Sequence, residues 1–120
     1  MDAYQHEASM AIVIAFCNCP IGDTANALAN GAVERRLAAC VNILPAVASV
    51  YRWEGRIVSE TESTLLIKTT SECVPALKAF IEESHPYDTP ELIVLNVVDG
   101  LPAYLAWVAK ESKAPSSDPM

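Results

Sequence analysis

Four thiols and an imidazole, Cys17, Cys19, Cys40, Cys73 and His85, carry the donor atoms a transition-metal ion would use. Thiolates favour Cu(I) or Zn, and imidazole suits Cu, Zn and Ni. The block His85-Pro86-Tyr87-Asp88-Thr89-Pro90-Glu91 adds two carboxylates beside the imidazole. The spacing is not that of a known metal motif: Cys17-x-Cys19 is not a zinc-ribbon pair, and no His-x-x-x-His is present. A small free cysteine also packs well as a core hydrophobe, so each thiol has a purely structural alternative. The second histidine, His6, sits on an N-terminal arm from which it could join a metal site from outside. Other chemistries have no support. The chain has no Gly-rich phosphate loop, no nucleophile elbow and no catalytic-cysteine signature. The carboxylate pairs Glu60 and Glu62, and Glu82 and Glu83, read as solvated faces.

Charge and composition narrow the partners. With 120 residues the chain supports one compact core, and 52% apolar with 19% charged residues is a globular composition. The formal net charge of −7 repels phosphate backbones and anionic lipid, which argues against nucleic acid and membrane partners and leaves cations welcome. No apolar run reaches the roughly 18 residues of a membrane span. The opening MDAYQHEASM lacks the basic start and hydrophobic core of a signal peptide, so the expected location is cytoplasmic, with reduced thiols.

The elements that must position these residues follow from hydrophobic period and turn chemistry. Residues 1–9 read as a flexible arm, residues 10–112 as one domain and residues 113–120 as a disordered tail. Ala11 to Phe16 is a continuous apolar run, a buried central strand. Asp23 or Thr24 caps a helix with apolar positions Ala25, Leu28, Ala29, Ala32, Val33 and Leu37, in which Gly31 costs about 1 kcal/mol relative to Ala. Cys40 to Thr69 is rich in β-branched and aromatic residues and is broken only at Trp53-Glu54-Gly55-Arg56. It reads as one hairpin with arms of about a dozen residues, twice the usual strand length, bent or bulged at Pro45. On the return arm Leu65, Ile67 and Thr69 share one face, while Leu66 leaves the other partly apolar, a sign of burial in an oligomer. A second helix, capped by Ser71 and carrying Val74, Leu77 and Ile81 inward, stops by Ser84 because Pro86 holds His85 extended. Glu91 to Val98 is a fourth strand, and Leu101 to Lys110 a terminal helix with Tyr104, Leu105 and Trp107. The aromatics read as hairpin and interface packing.

That order is α+β: a ferredoxin-like βαββαβ sandwich with an extra C-terminal helix and a long hairpin between the second and third strands. Right-handed crossovers then give the spatial order fourth, first, third, second strand. In it Cys17, Cys19, His85, Tyr87, Asp88 and Glu91 converge on the upper edge, and the hairpin tip with Trp53, Glu54 and Arg56 leaves from the same end. Cys40 and Cys73 begin elements at the bottom, about 20 Å from Cys17.

Five ordered blocks, RLAACVNILP from Arg36, YRWEG from Tyr51, LIKTT from Leu66, HPYDTPE from His85 and YLAW from Tyr104, resemble the CutA family of divalent-cation tolerance proteins over residues 11 to 110. The resemblance implies a tight homotrimer in which long hairpins pair between subunits. It also implies a cytoplasmic role in tolerance of copper and other divalent cations, copper as the bound ion, and no enzymatic activity. The family's metal-associated residues fall on Cys17, Cys40 and His85; Cys19 is extra to the pattern. By the topology, Cys17 and Cys40 do not share an ion within one subunit. Such trimers also resemble the PII signalling proteins, which bind effectors in clefts between subunits. In that reading Trp53, Glu54, Arg56, His85, Tyr87 and Glu91 line a cleft for a small effector. Only eight Lys and Arg in the chain count against a phosphorylated one.

Overall fold

Alternation in the first strand sets the two faces of the sheet. In the computed structural model, which describes residues 11–115, β1 (Ile12–Cys19) buries Val13, Ala15, Cys17 and Cys19 and leaves the residues between them half-buried. The arm at residues 1–9, with His6, and the end of the tail lie outside the described residues. β1 pairs antiparallel with β3 (Arg56–Thr70) and with β4 (Ile93–Asn96), and β3 pairs antiparallel with β2 (Cys40–Trp53). The order across the sheet is β2-β3-β1-β4, the one expected from right-handed crossovers.

Helix α1 (Asp23–Glu34) and helix α2 (Val74–Ser84) cover one face. Ala15, Cys17 and Cys19 of β1 and Leu65 and Ile67 of β3 form the core with Leu28, Leu77, Phe80 and Ile81 of the helices. Burying each of the larger side chains contributes about 1.5–3 kcal/mol. Gly31 has a role beyond its helix penalty. A Cβ there would stand 2.7 Å from Cζ of Phe80, so the missing methyl lets the two helices close. The expected side-chain caps do not form: α1 begins after Gly22, at φ 90°, and α2 after a short 3-10 turn over Ser71–Cys73. Leu37 lies beyond α1, where Arg36 takes φ 59° and the chain folds back to bury Leu37.

The hairpin arms of β2 and β3 run 14 and 15 residues. Glu54 and Gly55 both take positive φ, 50° and 79°, the condition for the tight turn whose twist matches the strands. The register slips between Leu44 and Val47, so Pro45 and Ala46 face Ser63 alone, and the Ser63 hydroxyl donates to the Pro45 carbonyl at 2.9 Å. β4 is shorter than its apolar run: only Ile93–Asn96 pairs, followed by a single Val97 N–H bond to the Ile12 carbonyl. Helix α3 (Pro102–Glu111) crosses the lower end of the sheet. There Lys68 lies over the Tyr104 ring at 5.5 Å and Glu111 meets Arg36 at 3.3 Å.

Candidate functional site

The upper edge of the sheet does gather polar side chains, and the turn after α2 places them. His85 leaves the helix extended, as the following proline requires, and turns its ring onto the end of β1. Its Nε2 lies 2.8 Å from the Asn18 carbonyl and donates to it, while Nδ1 accepts the Tyr87 N–H at 3.2 Å. Both ring nitrogens are therefore engaged, and the imidazole is a brace that holds the 87–91 loop against β1. The Tyr87 ring stacks near it at 4.7 Å and carries its hydroxyl to Glu62, donating at 2.8 Å.

Glu62 is only 7% exposed, which overturns the reading of Glu60 and Glu62 as a solvated pair. The two stand two residues apart on β3, so their side chains share the face away from α1 and α2. After the bulge, Val47 pairs with Glu62, Ser49 with Glu60 and Tyr51 with Val58, which brings Tyr51 onto that face as well. The Tyr51 hydroxyl donates to Glu60 at 2.5 Å. Between this distal part of the hairpin and the 87–91 loop lies a cleft of about 780 Å³. Trp53, Tyr87 and Glu91 line it as expected, joined by Asn18, Tyr51, Glu60, Glu62 and Asp88, which the sequence pattern does not assign to it. Glu54 and Arg56, at the exposed tip, and the buried His85 are not among its lining.

Among the described residues the cleft wall is acidic and holds no Lys or Arg. Hydrogen bonding to Glu60, then partial desolvation and the nearby charges, push the Tyr51 phenol up to about 12. Desolvation, then the bond to Glu62 and the charges around it, raise Tyr87 further. Glu91 is raised by burial and by the negative charge of Glu62.

The thiols lie elsewhere. Cys17 points into the core under the helices, and burial, then the negative groups Cys19, Glu91 and Glu62, push its thiol up to about 12. Cys19 is buried on the same face and also raised, by burial first and then by Glu62. Cys40 pairs with Lys68, which pairs with Ile14, so it stands on the opposite face of the sheet from Cys17. The two are three residues apart along the strands, roughly 10 Å and half the expected axial distance, but the sheet lies between them. Cys73 is buried at the bottom, accepting from the Thr70 hydroxyl at 3.4 Å. Among the described residues no group of three His, Cys, Asp or Glu is placed to hold a metal ion. Cys17, Cys40 and His85 do not fit a shared ion within one chain.

Residues 13–111 match the family described as CutA1 divalent ion tolerance protein. The chain belongs to that family. Protein CutA of Mus musculus is 44% identical over 103 residues, which cover 86% of this chain and 58% of the mouse protein, so the match spans under two thirds of that relative. The divalent cation tolerance protein (Cut A1) structure from Thermus thermophilus superposes with a TM-score of 0.83 at 38% identity, covering 85% of this chain and 99% of that one. The PII-like protein CutA from Nostoc sp. PCC 7120 in apo form gives 0.80 at 35% identity, covering 86% and 99%. The α+β fold, its strand order and its long hairpin are thus those of CutA1 proteins. The family's name points to metal ions, and the cleft is what the geometry adds.

Proposed function

We propose that this chain works as a cytoplasmic homotrimer in divalent-cation tolerance, without catalysing a reaction, and that copper is among the ions it meets. The observation that carries the reading, in a chain of this family, is the sheet face away from α1 and α2, which α3 meets at its lower end and which is otherwise uncovered. Leu44, Ile93 and Leu95 lie on that face at 41%, 54% and 50% exposure, beside half-buried Ile14, Phe16 and Leu66. Both outer strands, β2 and β4, also keep one backbone edge unpaired within the sheet. A soluble chain covers such a face and such edges with another chain. Cys40 begins β2 on this face, half-buried, whereas the other three thiols are sealed in the core. A Cu(I) ion held by Cys40 then draws its remaining ligands from a neighbouring subunit. The test is a Cu(I) competition titration against a chromophoric chelator under reducing conditions. We expect Cys40→Ser to weaken binding and Cys17→Ser to leave it unchanged; loss in Cys17→Ser alone contradicts this placement.

The cleft favours a second reading, in which the trimer takes a small effector. Its volume of about 780 Å³ lies in the range of small-molecule sites, and none of its lining residues is Lys or Arg. A phosphorylated effector is disfavoured by that wall.

A further inference from the structure

We propose that Asn30-Gly31 on α1 is a covalent modification site, a deamidation switch that the helix holds closed and that, once converted, keeps α1 open. The site is independent of the sheet face that a neighbouring subunit covers, because α1 lies on the opposite one. Asn30 is exposed there, while Leu28, Ala29 and Ala32 of the same helix are buried.

The chemistry needs an asparagine whose successor leaves its backbone nitrogen unhindered. Asn30 is the one asparagine followed by glycine; Asn18, Asn26, Asn42 and Asn96 each precede a residue with a Cβ. The Gly31 nitrogen bonds to Cγ of Asn30, the Cγ–Nδ2 bond breaks, and the amide nitrogen leaves as ammonia, taking the proton of the Gly31 nitrogen. Water then opens the cyclic imide. Attack at Cγ gives aspartate, and attack at the main-chain carbonyl gives isoaspartate, whose backbone runs through the side-chain carbons. No oxidant, reductant or cofactor enters.

In the folded chain neither reacting group is free. Within α1 the Gly31 N–H donates to the carbonyl four residues earlier. The Asn30 amide donates to the Asn26 carbonyl at 2.8 Å, which turns the side chain back along the helix and away from Gly31. Conversion therefore waits on local opening of α1. Afterwards the helix cannot close as before: the new carboxylate has no proton to give the Asn26 carbonyl, and it stands one turn before Glu34, a like charge. Isoaspartate also lengthens the backbone directly before Gly31, the position without a Cβ that lets Phe80 close on α1.

Peptide mapping of the intact chain by tandem mass spectrometry, after incubation at mildly alkaline pH in native buffer and in denaturant, tests this through the mass gained when an amide becomes an acid. In denaturant Asn30 should convert ahead of every other asparagine, and in native buffer its rate should fall more than about tenfold. Asp99-Gly100 does not confuse the readout, since it loses and regains water and keeps its mass. Gly31→Ala, compared in denaturant where folding does not enter, should slow Asn30 to the rate of Asn26, which already precedes an alanine. Asn30→Asp should lower the denaturant midpoint, and Asn30→Ala, which loses the hydrogen bond without gaining a charge, should lower it less. Equal rates in native buffer and denaturant, an Asn30 no faster than Asn26 in denaturant, or an Asn30→Asp chain as stable as the parent overturns the proposal.

Discussion

Glu62 and Glu91 behave as an acidic couple whose members meet only in the folded chain. Glu91 holds its proton more tightly there than in the unfolded chain, because it is partly buried and faces Glu62. Its contribution to stability is therefore complete below the ordinary carboxylate value of 4.5 and is lost as pH rises through the folded value. Glu91→Gln is expected to be more stable than the parent at neutral pH, with the difference vanishing in acid. Denaturant midpoints at the two pH values check it. Tyr51 offers a second readout. Its phenol stands at about 12 chiefly through Glu60, so Glu60→Gln should let it ionise closer to 10, visible as tyrosinate absorbance in an alkaline titration. Neither effect was legible in the sequence. Glu60 and Glu62 sit in the continuous polar run Ser59 to Thr64, which reads as solvated, and it is the loop beginning at His85, arriving from a distant helix, that covers one of them. His85 itself was legible as a rim residue but not as a brace, since the carbonyl it bonds belongs to Asn18, 67 positions away.

Two elements owe their shape to single glycines. At the hairpin tip Gly55 takes φ 79° after Glu54 at 50°, in a turn that is solvent-exposed throughout. Gly55→Val should cost about 1–2 kcal/mol through the backbone alone, with Gly55→Asn tolerated, as measured by equilibrium unfolding. Between α1 and α2, Gly31 has the opposite logic. Replacing it with alanine gains about 1 kcal/mol of helix propensity but drives a methyl into Phe80, whose ring is itself capped by Arg35 at 4.6 Å. Overpacking of this kind costs about 1–3 kcal/mol, so Gly31→Ala should be less stable than the parent, and Phe80→Leu should relieve the loss when combined with it. The hairpin, its turn and the bulge at Pro45 follow from local chemistry and could be read directly. The reason for Gly31 could not, because it lies on another helix. The shortness of β4 was also hidden: Glu91 to Val98 is apolar almost throughout, yet β1 offers pairing partners to four of its residues.

At the scale of the whole molecule, the strand order was derivable because right-handed crossovers leave few alternatives, and it correctly brought Cys17, His85, Tyr87 and Glu91 to one end. It did not say on which face each side chain stands. Register decides that, and register put Cys17 under the helices and Cys40 on the open side. That open side is the centre of the account, since apolar side chains, unpaired edges and the one accessible thiol all meet there. Sedimentation velocity of the purified chain, diluted to low micromolar and below, tests it most directly. The account predicts a single species of three times the chain mass that does not dissociate on dilution; a monomer, or a mass that falls with concentration, would contradict it.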